Sequence, residues 1–248
     1  MRAKAIFSFL LCISIGLSAQ QAGQSNVSLG QINILFKAIK ENYRDMEFYS
    51  MDVIHSSYVD YQSVVPYEKS IGYFMKRKNN YCSLLMGVTT IQNEKIKLSV
   101  NPQKKFISIS SPDEYMKAVF TQADFDLFSR FITSMKRDII GDLATYRIEY
   151  KKGLSLSFYE MTVNNRNIIT RMKLFYEREI AVDSENPKSK RSKPRMEIEF
   201  TNIKYGEQQS ESRKFDTGKY IHLENGKYAL SDEFKDYRLV DMRVKKDN

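Results

Sequence analysis

The chain contains no tryptophan, two histidines and two cysteines in 248 residues. His55 and His222 stand far apart and at no metal-ligand spacing, so a zinc centre is not expected. There is no glycine-rich phosphate loop, no Gly-x-Ser-x-Gly elbow and no ordered serine, histidine and acid set. Asp216-Thr217-Gly218 matches the aspartic-protease triplet, but that chemistry needs two such loops sharing a proton. One copy occurs here and Lys219 follows it, so it reads as a turn. Glu177 and Glu179 lie two apart, with Arg171 and Lys173 on the same strand face, which reads as solvated surface. With so few catalytic side chains, a non-catalytic binding protein is expected, with no cofactor and no metal.

Long apolar runs are also missing. The longest, Ile6 to Leu17, is about a dozen residues, too short to span a bilayer. Arg2 and Lys4 precede it and Ser18-Ala19-Gln20 follows it, the layout of an export signal cut after Ala19. Cys12 lies inside this segment without the small residues that precede a lipidated cysteine, so it leaves with the signal. Cys82 is then the one mature cysteine and makes no intramolecular disulfide. Between Tyr81 and Ser83 it reads as a small buried hydrophobe. The expected organisation is a signal peptide over residues 1–19, a flexible leader over 20–30 and a single domain over 31–248, with a periplasmic location. Loss of Arg2 and Lys4 takes the formal charge from +9 to about +7. Such a surface suits anionic partners, although basic envelope proteins without one are common.

The most informative stretch runs from Gly72 to Pro112. Short alternating strands follow one another with only polar turns between them, an antiparallel meander. Tyr81 to Val88 reads as one continuous apolar strand, and Ile96, Leu98 and Val100 as a half-buried one. Before the meander, Ile32 to Tyr49 reads as an amphipathic helix with Ile32, Leu35, Phe36, Ile39, Tyr43 and Met46 on one face. From Ser50 the period changes to two. After Pro112 a second helical region is expected, its stronger part Ala123 to Ile140, with Phe125, Phe128, Phe131, Ile132 and Met135 on one side and Gly141 ending it. Strands then resume. Tyr146, Ile148 and Tyr150 alternate, Lys151-Lys152-Gly153 turns, and Leu154, Leu156 and Phe158 return. Ile168 to Val182 reads as one long strand, with Met172, Leu174, Tyr176, Ile180 and Val182 on one face. Met196, Ile198 and Phe200 give the cleanest two-residue period. The tail is expected to hold a short helix or loop and a last strand.

The order helix, long meander, helix, further meander and short tail behind an export signal resembles the LolA-like periplasmic lipoprotein carriers. Gly72-Tyr73-Phe74-Met75-Lys76 resembles the glycine-hydrophobic-lysine strand of that family. Ile91-Gln92-Asn93 through Val100-Asn101-Pro102 to Lys105-Phe106-Ile107 resembles its run of turn, strand and turn. Met196-Glu197-Ile198-Glu199-Phe200-Thr201-Asn202-Ile203, then Phe215, resembles its late strand and following phenylalanine. The chain departs from the pattern at His55, where the family often has an arginine, and after Phe215, where no proline-glycine pair follows.

The resemblance implies an α+β fold: a strongly curved antiparallel sheet, an incomplete barrel, with helices covering its open concave side. It implies an apolar hollow for the acyl chain of a lipoprotein or lipid. Phe125, Phe128, Phe131, Met172, Leu174, Met196 and Phe200 are the lining candidates, and each also suits an ordinary filled core. The 15 phenylalanines, 16 tyrosines and 11 methionines would make an adaptable lining. Lys188, Lys190, Arg191, Lys193 and Arg195 form a basic stretch that reads either as a solvated hairpin loop or as a contact for an anionic membrane surface. Aromatics do not interleave with these charges, so nucleic acid is not an expected partner. Two functions follow, a periplasmic acyl-chain carrier or chaperone and an envelope protein with a filled core that binds a protein partner.

Overall fold

The computed structural model describes residues 25–112, 130–182, 186, 188–206 and 212–243. Ser28 opens helix α1, Leu29–Asp45. Its hydroxyl accepts from the Gln31 N–H, and the Gln31 side chain accepts from the Ser28 N–H, a reciprocal cap. Ile32, Leu35, Phe36, Ile39 and Tyr43 form the buried stripe, as their spacing predicts. The helix stops at Asp45, before the expected Tyr49, because Met46 turns extended. Strand β1, Ser25–Asn26, precedes the helix and pairs with residues 136–137. Ser25 to Gly30, expected as flexible leader, therefore supplies a strand and a helix cap.

Seventeen strands are described. After β1 come β2 Phe48–Tyr58, β3 Glu68–Arg77, β4 Asn80–Leu85, β5 Val88–Gln92, β6 Lys97–Asn101 and β7 Phe106–Ser110. Then come β8 Ile132–Ile140, β9 Leu143–Tyr150, β10 Leu156–Asn164, β11 Ile169–Tyr176, β12 Ile180–Ala181, β13 Arg191–Ser192 and β14 Arg195–Tyr205. The tail adds β15 Ile221–Glu224, β16 Lys227–Leu230 and β17 Arg238–Asp241, with short 3-10 turns at Ser212–Phe215 and Asp232–Phe234.

Thirteen strands form one open sheet in the order β1-β8-β9-β10-β11-β14-β2-β3-β4-β5-β6-β7-β17. Its pairs are antiparallel except β7 with β17, which is parallel. The protein is mostly β, and the described part of the chain places a single α-helix on the sheet. Coverage of a concave side by two helices is thus not what the described residues show.

The two faces are covered differently. Tyr49, Met51, Val53, Phe74, Tyr81, Ile148 and Met161 pack under α1, on what is called here the helix face. Phe48, Met75, Cys82 and Ile91 point the other way and pack on Phe215. Leu98, Val100, Ile107 and Ile109 continue that tail face under Ile221 and Phe234. The alternation of strand side chains forces this split, since Phe48 and Tyr49 are consecutive.

Three expectations are corrected. Ile132–Ile140 is strand β8, not the end of a helix. It pairs along its length with β9, and Gly141 at φ 58° makes the hairpin turn rather than a helix cap. Phe125 and Phe128, with the rest of 113–129, lie outside the described residues. The apolar run Tyr81 to Val88 is two strands, because Met86 at φ 50° and Gly87 at φ 76° turn the chain back. The run Ile168 to Val182 ends at Tyr176. Ile180 belongs to a separate two-stranded ribbon with β13, so Ile180 and Val182 do not extend the Met172–Leu174 face.

One contact fixes the middle of the sheet. A Cβ on Gly72 would stand 1.9 Å from the Leu84 carbonyl oxygen, so only glycine admits the approach of β3 to β4.

Candidate functional site

On the helix face, cross-strand partners form an apolar row: Met135 opposite Ile148, Ile148 opposite Tyr159, Tyr159 opposite Leu174, and Leu174 opposite Met196. A parallel row runs Tyr146, Met161, Met172, Ile198 and ends at His55. Phe200 opposite Val53 continues the surface on β14. Two-residue periodicity places Met172, Leu174, Met196 and Phe200 on one face, and the register makes them neighbours.

Coverage of this floor is graded. Ile148 and Met161 are fully buried under α1. Met172, Ile198 and Phe200 are half-buried and pack at the edge of that cluster. Leu174 and Met196 are half-buried. The apolar floor thus runs beyond the strip that is fully shielded. Phe131 stands half-buried just before β8, its carbonyl accepting from the Lys151 N–H at 2.8 Å.

The floor is apolar between Arg137, which opposes Tyr146 at one end of the second row, and His55 at the other. Tyr150 and Tyr159 stack with ring centroids 6.1 Å apart. Burial pushes the Tyr150 hydroxyl up to about 12 and the Tyr159 hydroxyl well above its ordinary value, so both stay protonated. Burial also lowers the His55 imidazole below its ordinary 6.5, against the pull of Glu68, so the floor holds a neutral ring near neutral pH. In the sequence His55 stood out as a departure from the resembled family and as a histidine at no metal-ligand spacing, and its place at the end of the apolar row needed the β2–β14 register.

The reverse of the same strands is a lattice of charge. The Glu197 carboxylate is buried and meets Arg195 at 2.9 Å, Arg171 at 3.2 Å and Lys173 at 3.9 Å. Arg147 bridges Glu149 at 3.1 Å and Glu160 at 3.5 Å. Alternation therefore gives these strands one neutral apolar face and one ionic face.

The basic residues separate into two kinds. Arg195 is nearly enclosed: besides Glu197 it donates to the Tyr61 and Ser63 carbonyls and lies over the Tyr58 ring at 4.1 Å. It ties the β2–β3 loop to β14. Lys193 pairs with Glu177 at 3.0 Å, and Arg191 donates to the Glu179 carbonyl at 2.9 Å. Lys188, Lys190 and Arg191 are exposed. Lys190, Ser192 and Lys193 face Asp60 to Ser63 across a shallow cleft of about 520 Å³. Among the described residues no cluster of histidine, cysteine and carboxylate side chains is arranged to hold a metal. No described helix is long and apolar enough to cross a membrane.

These features define an open, mostly antiparallel sheet with an apolar floor beside one amphipathic helix. No family model matches the chain, and no curated protein matches it. Among solved structures, the chain is similar to a DUF1329 family protein from Desulfovibrio piger, at 11% identity and a TM-score of 0.32, covering 75% of this chain and 98% of that one. It is also similar to the lipoprotein LppX of Mycobacterium tuberculosis, at 8% identity and a TM-score of 0.37, covering 74% and 99%. Scores this low do not establish a shared fold, and the functional reading rests on the floor itself.

Proposed function

We propose that this protein is a non-catalytic carrier of the cell envelope that holds an acyl chain, of a lipid or a lipoprotein, on the apolar floor beside α1. The supporting observation is the pair of cross-strand rows whose outer members, Met172, Leu174, Met196, Ile198 and Phe200, stay half-buried on the face that α1 shields only in part. Thioether and aromatic side chains adapt to a flexible chain, and the stretch from Met161 through Met172 to Ile198 presents it no charge to desolvate. The charges on the reverse face disfavour an apolar chain there, so a bound chain has one side to choose. In this reading the sheet curves around the chain, residues 1–19 are removed on export, and no bond of the cargo is made or broken.

A second reading is an envelope protein with a filled core that binds another protein. The complete burial of Ile148 and Met161 favours it. Uptake of a fluorescent fatty acid separates the two. The carrier takes it up, and Leu174→Glu or Met196→Glu loses uptake by at least tenfold while far-UV circular dichroism is unchanged, since each places a charge on the floor. Uptake equal to the wild type in both variants would remove Leu174 and Met196 from the site.

A further inference from the structure

We infer that one rim of the sheet docks on an anionic lipid bilayer, with Val64 and Val65 entering the interface while the basic 188–193 segment lies against the lipid phosphates. This extends the carrier reading by naming the surface to which the protein comes, and it stands on residues outside the apolar floor.

The register gathers the rim. Tyr58 at the end of β2 opposes Arg195, and Phe175 opposes Arg195 from the other side. The loop 59–67, the turn 151–155 and the segments 177–182 and 188–194 therefore leave the sheet at the same end. The Met86-Gly87 turn joins them, because Leu84 opposes Tyr73 on β3. This end carries exposed Lys151, Lys152, Lys188, Lys190 and Arg191.

The same end presents apolar side chains to solvent. Val64 is 87% exposed and Val65 74%, next to each other at the tip of the loop. Tyr67, Ile71 and Met86 are exposed nearby. Single exposed hydrophobes are ordinary, whereas adjacent ones on a rim that also carries exposed cations mark an interaction surface. The valines are also held outward. The neck of their loop is fixed by Arg195 on the Tyr61 and Ser63 carbonyls, by the Ser192 hydroxyl on the Val59 carbonyl, and by the Tyr61 ring against Phe175 at 5.1 Å.

Two acids of the rim are engaged and two more, Glu68 and Glu179, are exposed. Asp60 accepts from the Gln62 and Ser63 N–H groups, and Glu177 takes the Ser157 hydroxyl and Lys193. The opposite rim has an apolar hairpin tip as well, at Ile139, Ile140 and Leu143, but Asp138 and Asp142 accompany it. An apolar wedge beside a set of lysines complements a bilayer whose apolar interior lies beneath anionic phosphates.

The test is co-sedimentation of the mature protein with vesicles of phosphatidylglycerol and phosphatidylcholine in equal parts, and with vesicles of phosphatidylcholine alone. The wild type is expected to sediment with the first, not the second, and to be released by salt. Val64→Ser with Val65→Ser lowers binding about tenfold or more, by removing the inserted surface. Lys188→Gln, Lys190→Gln and Arg191→Gln together lower it on the order of a hundredfold. Fatty-acid uptake is unchanged in both variants. Salt titration of the wild type reads the same charge dependence if the triple variant fails to fold. Absence of the wild type from the anionic pellet, indifference to lipid charge, or wild-type binding by the valine variant overturns the inference. Sedimentation without fatty-acid uptake overturns the carrier reading and leaves the docking rim standing, and uptake without sedimentation does the reverse.

Discussion

At the scale of the residue, His55 is the histidine of the apolar floor. It ends the row that runs through Met172 and Ile198. Burial favours its neutral form, so its folded-state value lies below the ordinary 6.5. The stability it contributes is complete above 6.5 and is lost as pH falls through the lower folded value, because the unfolded chain then binds the extra proton more readily. Urea midpoints followed downward from neutral pH are therefore expected to fall, and His55→Leu to flatten that slope. An unchanged slope in the variant would show that the acid sensitivity lies elsewhere. Glu197 shows the opposite treatment of charge. Its carboxylate is buried on the other face with Arg195, Arg171 and Lys173 around it, so alternation alone separates a neutral environment from an ionic one.

At the scale of the element, helix α1 is held to the sheet at its C-terminal end by a buried lysine. Lys76 on β3 donates to the carbonyls of Tyr43, Arg44 and Met46, each at 2.9 Å. Those carbonyls lack partners within the helix and carry its negative dipole end. Lys76→Met keeps the length of the stem and removes the three bonds, and is expected to destabilise the fold by about 1–3 kcal/mol. A urea midpoint equal to the wild type would refute that tie. This contact was not legible in the sequence, where Lys76-Arg77-Lys78-Asn79-Asn80 has the composition of a polar turn. Strands with clean alternation were legible, β14 and β9 above all. So was the buried stripe of α1, because Ile32, Leu35, Phe36, Ile39 and Tyr43 recur at helical steps. Strand β8 was misread because Ile132 and Met135, taken with the phenylalanines before them, also fit a three- and four-residue step. Only pairing with β9 decides between the two periods, and pairing is a tertiary fact. The break at Met86-Gly87 was hidden inside an apolar run for the same reason. At the candidate site, the common face of Met172, Leu174, Met196 and Phe200 could be read from the two-residue period. The rows that make them neighbours could not, because register is set between strands.

At the scale of the whole molecule, the sheet meets three surroundings. The tail packs over β3 to β7 on one face, α1 packs over the other, and the reverse of β8 to β14 is an ionic lattice. What remains is an apolar floor that outruns its helix and a rim that combines lysines with exposed valines. In the carrier account the floor holds the chain and the rim meets the lipid surface. The central claim is that the floor is occupied by an acyl chain in the cell. Native mass spectrometry of the mature protein, purified from the periplasm of its own cell, with solvent extraction of what it carries, tests this most directly. The account predicts a stoichiometric lipid or acylated peptide that is released by the solvent. A bare protein mass, from a protein that also takes up no fluorescent fatty acid, would contradict it.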